Sequence, residues 1–224
     1  NNSADAATQD TQQEDANGNY KDTVVWAQSA DVTSMDPHIG KETAAVTVTC
    51  KIFSTLLEVI GDGDPQPLLA ESYQQLNDKD WEFTIRQGVK FSDGKDLTMD
   101  DVLYSMERVT KNEYSMSYLF SNVKKFSVDK DSWTLTVKLK QPDSTWKYVP
   151  ATSPCTIVEK EVCEKEGDKY GSHEGSVVGT GPYKFVSWTA GSEIVYEKNP
   201  DWFGGAENVD VDRVEYYIMS DSST

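Results

Sequence analysis

The side chains suited to covalent or metal chemistry are few: three cysteines, Cys50, Cys155 and Cys163, and two histidines, His38 and His173. A thiol beside an imidazole would be a base-activated nucleophile, and the two need be close only in space. No spacing here favours that pairing. Neither histidine lies in a His-Glu-x-x-His metal pattern, and His173, among Gly171, Ser172 and Gly175, reads as a surface-loop residue. The cysteines are odd in number, so at least one is free or pairs outside the chain. Cys155 and Cys163 are near enough in sequence to be bridged if the backbone turns between them, but buried free thiols are the expected state.

Two further patterns invite chemistry and fail on spacing. Asp62 and Asp64 resemble the start of a calcium loop, yet the twelfth position, where a carboxylate is required, is Tyr73. Asp210 and Asp212 fail likewise, and both pairs read as solvated turns. Gly179-Thr180-Gly181-Pro182 resembles a phosphate cradle, but no Gly-x-x-x-x-Gly-Lys-Ser/Thr string occurs and residues 183–188 read as a strand. A backbone turn that needs small residues is the better account. The expectation is no catalytic site, no metal and no cofactor.

The elements that would carry a binding surface are legible. Val24, Val25 and Trp26 open a short strand, and Pro37 holds the residue before it extended or in a turn. Residues 43–57 read as a helix with Val46, Ile52, Phe53 and Leu56 on one face and Thr43 as cap. Trp81, Phe83 and Ile85 alternate with polar residues, as do Trp133, Leu135, Val137 and Leu139, the period of half-buried strands. Residues 98–109 form the clearest helix, with Met99, Val102, Leu103, Met106 and Val109 on one face and a capping box from Thr98 to Asp101. Strands follow at residues 183–188, 193–197 and 214–219. Strands with a few interspersed helices argue an α+β (mixed α/β) fold and not a doubly wound repeat. The six tryptophans and eleven tyrosines are expected to be mostly core anchors.

Composition bounds the partners. A chain of 224 residues can bury one large core or two small ones. Its net charge of −17 argues against nucleic acid, which needs Lys and Arg to displace counterions. No apolar run approaches the length that crosses a bilayer. Residues 1–21 are almost wholly polar, with Tyr20 the one aromatic, and cannot bury enough surface to offset the entropy of ordering them. A polar tether over residues 1–22 is expected, following a targeting segment already removed. Such a leash suits a surface lipoprotein, and equally an ordinary disordered tail.

Four strings, in order, carry a family resemblance. They are Met35-Asp36-Pro37-His38 with Phe53-Ser54-Thr55-Leu56-Leu57, then Pro67-Leu68-Leu69-Ala70-Glu71-Ser72-Tyr73, then the block from Trp81 to Arg108, then Gly179-Thr180-Gly181-Pro182-Tyr183 leading to Asn199-Pro200-Asp201-Trp202-Phe203. Together they resemble the extracytoplasmic solute-binding proteins of family 5, which include the oligopeptide-, dipeptide- and nickel-binding components of ABC importers.

The resemblance implies a type II periplasmic-binding-protein lobe with an inserted β-rich subdomain and the second lobe missing. Residues 23–42 with 152–224 would form the main subdomain and residues 43–151 the insertion, making the chain a truncated piece. It further implies a monomer, lipid-anchored outside the cell membrane, that captures peptides and delivers them to an ABC transporter permease. The ligand-lining segment would be Lys41, Glu42, Thr43 and Ala44, offering main-chain hydrogen bonds to an extended peptide, with Tyr114 as the nearest match to an aromatic that assists in relatives. A nickel chelate or sugar-like solute, a peptide-sensing receptor and a cell-surface hydrolase are the competing readings.

Overall fold

The structure, a computed structural model, describes residues 22–40, 42–111, 113–114 and 116–219. The expected tether, apart from Asp22, and the candidate Lys41 lie outside the described residues. Asp22 continues into the fold, its carbonyl accepting from the amides of Asp212 and Arg213.

The chain begins with strand β1 (Thr23–Gln28), a loop and helix α1 (Thr43–Ile52). A short ribbon of β2 (Leu57–Glu58) and β3 (Gln66–Pro67) leads to β4 (Ala70–Gln75) and β5 (Asp80–Ile85). Helix α2 (Met99–Val109), strands β6 (Val123–Asp129) and β7 (Thr134–Leu139) and helix α3 (Lys160–Glu166) follow. Strands β8 (Tyr183–Thr189), β9 (Glu193–Lys198) and β10 (Arg213–Ile218) complete the described fold. Two four-stranded sheets result. One has the order β1-β10-β9-β8, with β1 parallel to β10 and the rest antiparallel. The other, β4-β5-β7-β6, is antiparallel throughout. Among the described residues no helix is long and apolar enough to cross a membrane.

Each sheet has its own core. Under β4-β5-β7-β6, the inward residues Trp81, Phe83, Ile85, Leu135, Val137 and Leu139 meet Met99, Val102, Met106 and Val109 of α2. Burial of each such side chain contributes about 1.5–3 kcal/mol. Thr98 closes the expected capping box: its hydroxyl accepts from the Asp101 amide and the Asp101 carboxylate accepts from the Thr98 amide at 2.9 Å. The second core joins Ala45, Val48 and Ile52 of α1 to Ile194, Tyr196 and Tyr216 of the other sheet. Helix α1 thus packs with the sheet that contains β1, although the expected subdomain division at residue 42 assigns it to the insertion.

Two local expectations need correction. Helix α1 starts after Glu42 and stops at Ile52, with Phe53 already extended; it buries Ala45, Val48, Thr49 and Ile52 and leaves Val46 exposed. What ends it comes from far along the chain. The Gly179-Thr180-Gly181 turn abuts its last residue, Gly181 donating to the Ile52 carbonyl at 2.8 Å. A Cβ on Gly179 would lie 2.2 Å from that carbonyl oxygen, so the turn needs small residues for this close approach. Trp133, expected to begin a strand, instead takes φ +56° in the hairpin before β7.

Candidate functional site

The loop from β1 to α1 is held closed from three directions. Met35 donates to the Gly171 carbonyl at 2.7 Å, and the Asp36 carbonyl accepts from the amides of Ile39 and Gly40 at 3.1 and 3.0 Å. Gly171 has φ +75°, and a Cβ there would sit 2.3 Å from the Asp36 nitrogen, so this approach too is open only to glycine. Gly40 lies against the first turn of α1, its missing Cβ 2.8 Å from that of Ala45.

The carboxylate of Asp36 turns inward to Arg108 of α2. Both guanidinium nitrogens donate to it, at 2.9 and 2.6 Å, with the two side chains 1% and 9% exposed. The same Arg108 nitrogen lies 2.9 Å from His38 Nδ1, and His38 Nε2 lies 3.0 Å from the Thr156 carbonyl. A guanidinium only donates, so Nδ1 is the acceptor and the imidazole proton is on Nε2. Burial, reinforced by the Arg108 charge and opposed by Asp36, lowers the His38 pKa to about 4. Burial also works against the charge on Arg108, but its bonds to Asp36 prevail and hold it above its ordinary value. Tyr114 and Tyr170 cover the guanidinium, their ring centroids 4.6 and 5.5 Å from its carbon. Burial raises both phenols, Tyr114 to about 12.

This cluster holds a thiol, an imidazole and a carboxylate without the geometry of a nucleophile and its base. Both nitrogens of His38 are engaged, by Arg108 and Thr156. Burial pushes the Cys163 thiol up to about 12, which leaves almost no thiolate at neutral pH. Cys155 is buried and shifted in the same direction. All three cysteines are free, Cys50 at the surface. His173 is exposed, its ring edge-on to Trp188 at 5.8 Å. Asp64 serves an exposed turn, accepting from Lys147 and Tyr148. Among the described residues no group of three or more His, Cys, Asp or Glu could hold a metal ion.

The candidate ligand segment lies on the outer side of this cluster. Glu42 occupies the position before α1, and its carboxylate accepts from the Thr33 amide and hydroxyl at 2.9 and 2.6 Å. It makes no side-chain capping bond to the first turn of α1. Thr43 is exposed, and Ala44 is half-buried against the second core. Tyr114, only 8% exposed, lies at the buried cluster, with His38 edge-on at 6.0 Å. Of the three, Thr43 alone is exposed, and Tyr114 backs the preceding loop through His38 and Arg108.

Sequence reading passed over the Asp36–Arg108 pair, although both residues lie in the strings quoted above. A signal was present. Asp101, Ser105 and Arg108 follow the i, i+4, i+7 spacing on α2, and all three are buried beside the apolar stripe. Each has a partner outside the helix: Asp101 accepts from the Lys160 amide, Ser105 from the Val158 amide, and Arg108 donates to Asp36.

Comparison with known proteins agrees with this architecture. The model of the bacterial extracellular solute-binding proteins, family 5, middle region, matches residues 64–224. The periplasmic oligopeptide-binding protein OppA of Salmonella typhimurium LT2 is 31% identical over 226 residues, covering 91% of this chain and 40% of that protein. The solved oligopeptide-binding protein AppA of Bacillus subtilis, in complex with a nonapeptide, superposes with TM-score 0.78 at 25% identity over 88% of this chain and 40% of that one. AgaA of A. tumefaciens R10, in complex with agropinic acid, gives TM-score 0.79 at 30% identity, with coverage of 89% and 40%. The chain thus spans about 40% of the length of the relatives it matches. With a type II periplasmic-binding-protein architecture of mixed helix and sheet, it belongs to the bacterial extracellular solute-binding proteins of family 5.

Proposed function

We propose that this chain is the first lobe of an extracytoplasmic solute-binding protein that captures oligo- or dipeptides for an ABC importer and catalyses no reaction. The observation that carries the reading is the contrast between its two longer helices. Helix α2 caps its own start through Thr98 and Asp101, whereas the side chain before α1 accepts from Thr33 and makes no capping bond. Uncapped amides at a helix start are donors for a ligand's carbonyl or carboxylate oxygens. Family membership, the peptide-binding relatives and the start of α1 at Glu42, Thr43 and Ala44, with Thr43 exposed, support peptide as the ligand, with Lys41 added and Tyr114 as a backing residue. Main-chain pairing of this kind gives affinity with little regard to side chains.

The same reading takes the sheet containing β1, together with α1, as the main subdomain, and the β4-β5-β7-β6 sheet with α2 as the insertion. It places the protein outside the cytoplasmic membrane as a monomer, attached by a lipid at the head of the polar N-terminal leash. A second reading is a small organic acid in place of peptide, favoured by the likeness to AgaA. Thermal melts of the full-length protein with peptides or with agropinic acid separate the two, since only a bound ligand raises the melting temperature. Peptide should raise it and remain uncleaved on prolonged incubation. Turnover of peptide, or a shift with agropinic acid alone, would reject the peptide-binding reading.

A further inference from the structure

We infer that Arg108 is a positioning residue for ligand capture: from the helix of one sheet it sets, through Asp36, the backbone of the loop that presents residues 42–44 beside the other. The inference rests on the peptide-binding reading above and adds to it a residue that does not touch the ligand.

The connection is continuous. Arg108 grips both oxygens of Asp36 at 2.9 and 2.6 Å. One of those oxygens also accepts from the His38 amide at 3.0 Å, so the carboxylate fixes the turn that follows it. The carbonyl of the same Asp36 accepts from Ile39 and Gly40, and Gly40 rests on Ala45 in the first turn of α1. Thr33 and Glu42 tie the two ends of the loop together. A displacement of the guanidinium thus reaches the start of α1 through Asp36 and Gly40. At 9% side-chain exposure Arg108 itself is out of a ligand's reach.

The arrangement is also more than packing requires. A buried ion pair is often no more stabilising than apolar residues of the same volume, whereas its directional bonds fix one geometry. The planar fork suits a bidentate carboxylate contact, which a lysine cannot reproduce. Tyr114 and Tyr170 lie over the fork and restrict its movement.

The test uses full-length protein, calorimetric titration with a set of tri- to nonapeptides, and hydrogen exchange of the loop amides. Arg108→Met should bind peptide at least about tenfold more weakly and exchange faster over residues 36–46. Met106→Ala, on the same helix but facing the other core, is the stability control; it should keep its affinity within about twofold and leave those amides unchanged. Arg108→Lys, which keeps the charge and loses the fork, is the second variant if Arg108→Met fails to fold, and is judged by the same limits. A folded Arg108 variant with wild-type affinity and exchange overturns the inference, as does an equal loss in Met106→Ala. If wild type binds no peptide, the peptide reading falls and takes the ligand role of Arg108 with it. Faster loop exchange confined to the Arg108 variants would then uphold only its hold on the loop.

Discussion

Arg108 donates to Nδ1 of His38 at 2.9 Å, and burial together with this contact keeps the imidazole neutral, its proton directed at the Thr156 carbonyl. A protonated ring would carry a second hydrogen into the guanidinium. The folded protein therefore resists a proton that the unfolded chain accepts.

Stability should depend on pH accordingly. The His38 pKa is lowered from 6.5 to about 4, so the unfolded state binds more protons within that window and stability falls as pH falls through it. The contribution is fully present above 6.5, is lost progressively towards about 4, and amounts to about 3 kcal/mol at most. Urea denaturation of wild type and His38→Gln from pH 7.5 to 4 isolates it. The variant should show a shallower decline, and parallel curves would show that His38 is not held neutral.

Met106 is 1% exposed in the core beneath β4-β5-β7-β6. Met106→Asp would bury an unpaired carboxylate there, at a cost of about 4 kcal/mol or more. The cooperative thermal transition should be lost or sharply lowered. A melt close to wild type would contradict the assigned face of α2.

Gly179 passes so near Ile52 that Gly179→Ala places a methyl 2.2 Å from the helix carbonyl. Overpacking of this kind costs about 1–3 kcal/mol. Denaturant titration should register it, with Gly61→Ala as a comparison in which the added methyl meets no atom within 4 Å and only the positive φ is strained. Equal losses at the two sites would argue against the close approach.

Thr98→Ala removes the hydroxyl half of the capping box and should cost about 1 kcal/mol. Thr43→Ala, at an exposed position that caps nothing, should change stability by less than about 0.5 kcal/mol. Chemical denaturation of both variants compares a helix start closed by its own capping box with one that the preceding side chain does not cap.

The contrast between what the sequence disclosed and what it concealed follows from range. Alternation in Trp81, Phe83 and Ile85 and the apolar stripe of α2 are local, and the structure has those elements where they were expected, with Thr98 as the cap. The end of α1 escapes local rules because the amide of Gly181, not of a neighbour, donates to the Ile52 carbonyl. The Asp36–Arg108 contact joins residues 72 positions apart, and no spacing rule spans that distance. Only the polar stripe of Asp101, Ser105 and Arg108 hinted at partners beyond the helix. Of the candidate ligand residues, Glu42, Thr43 and Ala44 are adjacent by sequence alone, while the burial of Tyr114 against His38 and Arg108 required the fold.

The most direct measurement is a calorimetric titration of the full-length protein with peptides of equal length and unlike side chains. Saturable binding of one peptide per chain, with affinities that vary little across the set, is the predicted result. No heat of binding from any peptide up to millimolar concentration would contradict the account, as would affinity confined to one side-chain pattern with main-chain methylation tolerated.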